Sequence, residues 1–102
     1  MEKSFNEKCY AILRRVPKGK VTTYGEIAKA LNCKAYRAVG NVMNKNPYAP
    51  SVPCHRVINS DGRLGGFASG IDKKIKMLKK EGVEIIDGKI DLDKYLHRFV
   101  FA

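Results

Sequence analysis

The chain has 102 residues, enough for one modest core, and we predict a single domain over residues 1–102. Twenty Lys and Arg against ten Asp and Glu give a formal net charge of +10, a surplus that attracts polyanions such as nucleic acid. No apolar run approaches the roughly 20 residues of a transmembrane helix, and the first residues lack the apolar core of a signal peptide. We therefore expect a cytoplasmic protein, nucleoid-associated if prokaryotic, with no membrane partner.

Two capping boxes mark the starts of the first two predicted helices. The first box runs from Ser4 to Glu7 and precedes apolar residues at helical intervals, until the turn signal at 17–19. A short extended piece, Val21-Thr22, then leads to the second box at Thr23. The helix that starts there is predicted to end at Asn32.

A third helix follows after about three residues, which is the pattern of a helix-turn-helix. Its predicted apolar stripe consists of Ala35, Ala38, Val39, Val42 and Met43. The polar and basic residues that lie off this stripe are Lys34, Arg37, Asn41, Asn44 and Lys45. A basic outer face at this position, in a chain with this charge, predicts DNA binding through residues 34–45.

The second half of the chain begins with a loop at 46–51, where two prolines forbid regular structure. Residues 53–58 are predicted to be extended, and residues 59–62 to form a turn. The glycine-rich stretch 62–68 fits no phosphate-loop or dinucleotide pattern, so we expect a flexible loop near a site, or a wing.

A further helix should begin near a cap at 69–72 and run to Glu81, with Gly82 as its stop. Ile71, Ile75 and Leu78 are predicted to face inward, whereas the lysines should lie mostly outward (Lys73, Lys74, Lys76, Lys79 and Lys80). Asp87-Gly88 is a strong hairpin signal between apolar segments. A last helix should carry Leu92, Tyr95, Leu96 and Phe99.

The pentapeptide Pro53-Cys54-His55-Arg56-Val57 places a possible nucleophile beside a possible proton carrier. Cysteine attacks as its thiolate, and a neighbouring histidine and a positive surround favour its reactivity. An isolated cysteine is more often a small buried hydrophobe, so the dipeptide alone leaves both interpretations open. The three cysteines are odd in number and lack a CxxC spacing, and only two histidines are present. We therefore predict reduced thiols, no metal and no other cofactor.

Four motifs follow one another in the order of a known family. They are Pro17-Lys18-Gly19-Lys20-Val21-Thr22-Thr23-Tyr24-Gly25-Glu26-Ile27-Ala28, then Arg37-Ala38-Val39-Gly40 with Asn46-Pro47, then Pro53-Cys54-His55-Arg56-Val57, then Glu81-Gly82. With them the chain resembles the C-terminal DNA-binding and active-site domain of the O6-alkylguanine-DNA alkyltransferases, also called methylated-DNA–protein-cysteine methyltransferases, without the family's N-terminal domain. The resemblance runs from about Phe5 to Ile85. It implies a mainly α fold, a small helical domain with a winged helix-turn-helix and a minor short β-hairpin.

The resemblance implies a monomeric, single-turnover repair protein that acts on double-stranded DNA containing O6-alkylguanine. Cys54 would take the alkyl group from O6 and keep it as a thioether. A water bridging Cys54 to His55, with Glu81 holding the imidazole, matches the family's relay. Side chains of adjacent residues in an extended segment point to opposite sides, so we do not expect His55 to touch the sulfur directly. Asn46 matches the residue that braces the active-site segment.

Reaching O6 requires taking the guanine out of the stack. In the family the recognition helix enters the minor groove, and the arginine that matches Arg37 fills the gap left by the base. The tyrosine that matches Tyr24 helps to rotate the nucleotide by crowding its phosphate. The other predicted DNA-binding residues are Ala38 and Gly40, which are small enough for close approach to the backbone, together with Lys34 and Arg56.

The predicted substrate pocket consists of Pro53, Phe67, Ala68 and Ser69. Phe67 can cover the base, but Ala68 lacks the hydroxyl that some family members offer to O6. Whether Ser69 or a backbone N–H replaces that hydroxyl is open at this stage.

Two alternatives accompany the alkyltransferase hypothesis. The alkyltransferase-like proteins are equally short and bind lesions without transfer, but they carry tryptophan where this chain has Cys54. The length favours such a sensor, whereas Cys54 favours transfer. A helix-turn-helix transcriptional regulator would explain the charge, but it leaves the pentapeptide at 53–57 unexplained.

Overall fold

A computed structural model describes residues 4–48, 51–67 and 70–99 of the chain. Within these ranges the fold is mainly helical, as predicted, with one small parallel sheet. Its elements are α1 (Phe5–Leu13), β1 (Thr22–Thr23), α2 (Tyr24–Ala30), α3 (Tyr36–Asn44), a 3₁₀ turn (Cys54–Arg56), β2 (Val57–Ile58), α4 (Ile71–Lys80) and α5 (Leu92–Tyr95). None of the helices in the described part is long and apolar enough to cross a bilayer.

Both predicted capping boxes are confirmed. The Ser4 hydroxyl accepts a hydrogen bond from the backbone N–H of Glu7 at 3.2 Å, and Thr23 Oγ1 accepts one from Glu26 at 3.0 Å. Each bond satisfies one of the N–H groups that a helix start leaves unpaired. α2 ends at Ala30, two residues before the predicted end, and Asn32 takes a positive φ of 56° in the turn toward α3.

Helices α1, α2 and α3 pack around a first apolar core. The predicted stripe of α3 is confirmed at Val39, Val42 and Met43, which are all buried. Ala35 is exposed instead, because it precedes the helix as its N-cap. The other fully buried members of this core are Cys9, Leu13, Val16, Ile27, Ala28, Val52 and Val57. This core therefore connects the helix pair α2–α3 with the segment on either side of Cys54.

A second core joins the two halves of the chain. Strands β1 and β2 pair in parallel, with Thr22 opposite Val57 and Thr23 opposite Ile58. Beside them, the Val21 N–H donates to the Tyr95 carbonyl and the His97 N–H donates to the Val21 carbonyl. The members of this core are Val21, Ile58, Leu64, Leu78, Val83, Ile90 and Tyr95. Strand β2, which begins with the last residue of the pentapeptide, is therefore held by β1, and the chain just before β1 is held in turn by the segment after α5.

Three backbone predictions for the second half need correction, and Ile71, which was predicted to face inward, is 41% exposed at the start of α4. Residues 54–56 form a 3₁₀ turn and not an extended segment; only Val57–Ile58 is a strand. The predicted hairpin shrinks to a tight turn, in which Asp87 and Gly88 both have positive φ and Ile86 and Lys89 exchange two backbone hydrogen bonds. The last helix ends at Tyr95, because Leu96 pairs with Val21 as an isolated bridge.

Candidate active site

Cys54 opens the 3₁₀ turn that leads into β2. Its N–H donates to the Val52 carbonyl at 2.9 Å, and the Arg56 N–H donates to the Pro53 carbonyl at the same distance. Val52 and Pro53 are buried, whereas Cys54 itself is half-buried. The backbone of this cysteine is thus fixed while its side chain keeps an opening to the surface.

The two other cysteines differ from Cys54 in their surroundings. Cys9 is fully buried, and burial, with a smaller effect of Cys33, raises the pKa of its thiol to about 11. Such a thiol is inert at neutral pH. Cys33 is half-buried and lies in the turn between α2 and α3, outside the pentapeptide.

Asn46 ties the loop after α3 to the segment before Cys54. Its amide nitrogen donates to the Val52 carbonyl at 2.8 Å, and its amide oxygen accepts from the Tyr48 N–H at 2.9 Å. The Val52 carbonyl therefore receives one hydrogen bond from Asn46 and one from Cys54. Asn46 therefore lies where a residue that braces the segment before Cys54 is expected to lie.

Glu81, at the end of α4, lies between the two residues that follow Cys54. Its Oε1 is 3.1 Å from His55 Nε2, and its two oxygens accept from the Arg56 guanidinium at 2.9 and 2.6 Å. Burial alone would raise the pKa of this carboxyl, but the hydrogen bonds from Arg56 and His55 outweigh it, and the net pKa is lowered. Glu81 is therefore an ionised acceptor at neutral pH.

The protonation of His55 follows from this partner. Only 2% of His55 is exposed, and burial lowers the pKa of its imidazole despite the opposing effect of Glu81. An ionised carboxylate can only accept, so Nε2 of the neutral ring carries the proton and Nδ1 is left as an acceptor. The ring can thus take up a proton at Nδ1 while Glu81 stabilises the resulting charge.

Arg56 does not lie on the surface. It is 9% exposed, and besides its two bonds to Glu81 it donates to the Val16 carbonyl at 2.7 Å. These contacts occupy its guanidinium in the interior. The structure therefore contradicts the prediction that Arg56 binds DNA. Arg56 is instead a partner of Glu81, and it ties the end of α4 to Val16 in the turn after α1.

Lys74 is the residue that the sequence analysis missed. It was predicted to face outward, yet it is fully buried, and its Nζ donates to the carbonyls of Val57, Leu64 and Gly66 at 2.7, 2.5 and 3.3 Å. Burial lowers the pKa of this amine to about 8, against a smaller opposing effect of Cys54. The sequence did contain a sign of this burial, because Lys74 precedes the inward-facing Leu78 by four residues and so lies on the same face of the helix.

Lys74 links the segment that follows Cys54 to the glycine-rich loop. Val57 directly follows the 3₁₀ turn, while Leu64 and Gly66 precede Phe67, which is half-buried. The ammonium therefore holds the segment after Cys54 and the glycine-rich loop at a fixed distance from each other. The structure describes two residues of the predicted pocket, Pro53 and Phe67. Ala68 and Ser69 lie outside the described residues, and with Ser69 so does the first residue of the helix cap predicted at 69–72.

The predicted DNA-binding residues lie on and around the helix pair. Arg37 is exposed in the first turn of α3, and within the described residues its side chain forms no hydrogen bond or ion pair. Tyr24 is the first residue of α2; burial raises the pKa of its phenol, and the nearby Cys54 adds to the shift. Lys34 is exposed, and Ala38 and Gly40 are half-buried. Tyr24 and Cys54 both pack against the first apolar core.

Among the residues that the structure describes, no three His, Cys, Asp or Glu side chains converge as a metal site would require. The groups that lie together at the candidate site are the Cys54 thiol, the imidazole that follows it and the carboxylate that orients the ring.

Comparison with known proteins gives consistent matches. A sequence profile described as "6-O-methylguanine DNA methyltransferase, DNA binding domain" matches residues 4–83. The methylated-DNA–protein-cysteine methyltransferase of Methanosarcina acetivorans is 52% identical over 79 residues, which are 76% of this chain and 51% of that protein. The DNA base-flipping protein of Vibrio parahaemolyticus is 40% identical over 93 residues, 89% of this chain and 93% of that protein.

Among solved structures, that of S. pombe Atl1 in complex with damaged DNA containing O6-carboxymethylguanine matches with a TM-score of 0.85 and 34% identity. The match covers 96% of this chain and 99% of that one. The chain thus spans about half the length of the methyltransferases it matches, but nearly the whole of the base-flipping protein and of Atl1.

Proposed function

The chain belongs to the family of 6-O-methylguanine DNA methyltransferase DNA-binding domains, and on that premise we propose that it repairs O6-alkylguanine in duplex DNA by moving the alkyl group to Cys54. One observation carries the proposal. A half-buried thiol directly precedes a neutral histidine whose ring is oriented by an ionised glutamate, on a chain with a net charge of +10.

The proposed reaction exchanges one bond for another. The Cys54 sulfur attacks the alkyl carbon, a carbon–sulfur bond forms, and the bond between that carbon and O6 breaks. The thiol proton passes to Nδ1 of His55, through a bridging water in our proposal, and a proton returns to the departing guanine. A soft thiolate suits an attack at carbon, and the thioether that forms cannot be hydrolysed back, so each molecule reacts once.

DNA would bind through α2 and α3, used as a helix-turn-helix with the glycine-rich loop as its wing. We propose that α3 enters the minor groove, that Arg37 fills the gap left by the flipped guanine, and that Tyr24 crowds the phosphate of that nucleotide. Gly40 supports this arrangement, because nothing lies within 4 Å of the position where its Cβ would be. The free protein therefore leaves open space there, as a closely approaching backbone requires.

A lesion sensor is the second candidate. The nearly full-length matches to Atl1 and to the base-flipping protein favour it, because neither name describes a transfer. Cys54 argues for transfer, since its sulfur lies in the segment that Asn46, Lys74 and the His55–Glu81 pair hold in place.

The two candidates differ in what happens to the lesion. The protein should be incubated in excess with a duplex that carries one O6-methylguanine, and the recovered DNA should be digested to nucleosides. Transfer converts the modified nucleoside to deoxyguanosine, whereas the Cys54→Ala variant should bind the duplex and leave the lesion intact. An unchanged lesion with the wild-type chain, despite tight binding, would establish the sensor instead.

A further inference from the structure

A broad groove lies beside the candidate site and is not accounted for by the proposed reaction. Its volume is about 820 Å³, and it runs between the helix pair and the turn at 59–61. Its lining includes Tyr24, Gly25, Cys33, Tyr36, Asn59 and Ser60. Tyr24 and Cys54 both pack against the first apolar core, so the groove and the candidate site adjoin the same part of the structure.

Tyr36 is the most unusual side chain in this groove. It is the first residue of α3, directly before Arg37, and 53% of it is exposed. Its ring reaches across to the start of α2, where Cε1 lies 3.8 Å from the position that a Cβ on Gly25 would occupy. Ser60 Oγ lies 3.3 Å from the same position, so the ring and this hydroxyl meet at the glycine.

The phenol of Tyr36 is available to a ligand. Within the described residues its hydroxyl has no hydrogen-bond partner, and an exposed aromatic ring on a DNA-facing helix has no role in the packing of the core. Adjacent residues on a helix project about 100° apart, so Tyr36 and Arg37 leave the same turn in different directions. If the Arg37 side chain lies within the base stack, the Tyr36 ring therefore lies outside the stack, at the edge that faces the groove.

The chemistry of the groove fits a sugar–phosphate strand. Lys29 and Lys34 line it and supply positive charge, and its carboxylate, Asp61, is 3.5 Å from the Arg63 guanidinium. A DNA backbone offers phosphates to the lysines and hydroxyls, and the apolar face of a deoxyribose to an aromatic ring.

We propose that Tyr36 is a further DNA-binding residue, whose ring packs against the deoxyribose beside the flipped nucleotide and whose hydroxyl binds the adjoining phosphate. This inference rests on the proposed function. The strand in the groove is the one that carries the lesion, because Tyr24, which crowds the phosphate of the flipped nucleotide in the proposed function, lines the same groove. Tyr36 thus holds that strand at the edge of the stack while Arg37 occupies the gap.

The test compares Tyr36→Ala and Tyr36→Phe, with Tyr48→Ala as the matched control. Tyr48 is equally exposed, at 51%, and lies in the loop after α3, outside this groove. Equilibrium binding to an O6-methylguanine duplex is measured with each substitution in a Cys54→Ala background. Reaction with the free base O6-benzylguanine is measured with Cys54 intact, and thermal unfolding checks that each variant folds.

Loss of the aromatic ring should weaken duplex binding about tenfold, which corresponds to the lower end of the roughly 1–3 kcal/mol measured for a base stacked on an aromatic ring, because a deoxyribose offers a smaller apolar face. Tyr36→Phe should lose only the few-fold effect of the hydroxyl. The slope of log affinity against log salt should not change with Tyr36→Ala, because no charge is removed. The reaction of Cys54 with the free base should proceed at the wild-type rate.

Two results would overturn the inference: equal duplex binding by the Tyr36→Ala and Tyr48→Ala variants, or a loss on the free base as large as that on the duplex. The second would make Tyr36 part of the pocket or the fold. If the wild-type chain leaves both the duplex lesion and Cys54 unmodified, the proposed function fails, whereas the comparison of duplex binding by the Tyr36 and Tyr48 variants still tests Tyr36; the two failures are thereby distinguished.

Discussion

Replacement of the buried Lys74 by methionine gives a prediction whose sign and size follow from the structure. Folding lowers the pKa of this amine from 10.5 to about 8, so between these values the unfolded chain holds a proton that the folded chain has lost. Stability from this side chain therefore rises with pH in that window. At about 1.4 kcal/mol per pKa unit, the full rise is roughly 3 kcal/mol, of which about 1 kcal/mol falls between pH 7 and pH 9.

Methionine has a similar length but cannot donate to the carbonyls of Val57, Leu64 and Gly66. We expect Lys74→Met to be less stable than the wild type at pH 7 by at least the cost of one unpaired buried acceptor, about 1–3 kcal/mol. The difference in the free energy of unfolding should then widen by about 1 kcal/mol at pH 9, because only the wild type gains from deprotonation.

The assay is urea unfolding followed by circular dichroism at pH 7, 8 and 9 for both proteins. Other buried groups titrate in the same range and act in the opposite direction. Burial raises the pKa of Cys9 to about 11 and also raises that of Tyr10, so their unfolded forms ionise first and stability falls. The wild type and Lys74→Met both contain Cys9 and Tyr10, so the effects of these two groups cancel when the free energies of unfolding are subtracted. If the difference in the free energy of unfolding between the wild type and Lys74→Met stays constant from pH 7 to pH 9, the amine of Lys74 does not have a lowered pKa in the folded protein, and the reasoning is refuted.

Two further predictions address the proposed chemistry and the proposed base flipping. His55→Ala should slow transfer at neutral pH, because the acceptor for the thiol proton is lost, and a higher pH should recover part of the rate as hydroxide replaces the ring; a pH–rate profile identical to that of the wild type would contradict the relay. Arg37→Ala should greatly slow repair of O6-methylguanine in duplex DNA, since unstacking costs a few kcal/mol, but should change the reaction with free O6-benzylguanine much less. Arg37→Lys, which keeps the charge without the planar guanidinium, serves as the control, and equal losses on both substrates would exclude a role as the inserted side chain.

The parts of the fold that local chemistry decides could be predicted from the sequence. The Ser4 and Thr23 caps and the Asp87-Gly88 turn each depend on a few neighbouring residues, and the structure has all three. The parallel pairing of β1 with β2 could not be predicted, because two-residue strands carry no alternating pattern and the partners lie far apart in the chain.

The candidate site shows the same division. Cys54, His55 and Glu81 were identified through motifs, and the structure brings the last two within 3.1 Å of each other. The burial of Arg56 was not predictable, because charged side chains are exposed by default and only tertiary contacts reveal a buried one. For Lys74 the four-residue spacing to Leu78 placed it on the inward helix face, but the groups that would pair with a buried amine could not be read from the sequence. Glu81 provides that contact for Arg56, and three backbone carbonyls provide it for Lys74.

The most direct test of the central claim is the mass of the protein after reaction with an O6-methylguanine duplex. We predict that the intact chain gains one methyl group in place of a hydrogen, and that peptide mapping places the whole gain on the peptide containing Cys54, with Cys9 and Cys33 unmodified. The gain should reach one group per molecule and then stop, because the thioether is not turned over. An unchanged mass, or a methyl group on another cysteine, would contradict the account.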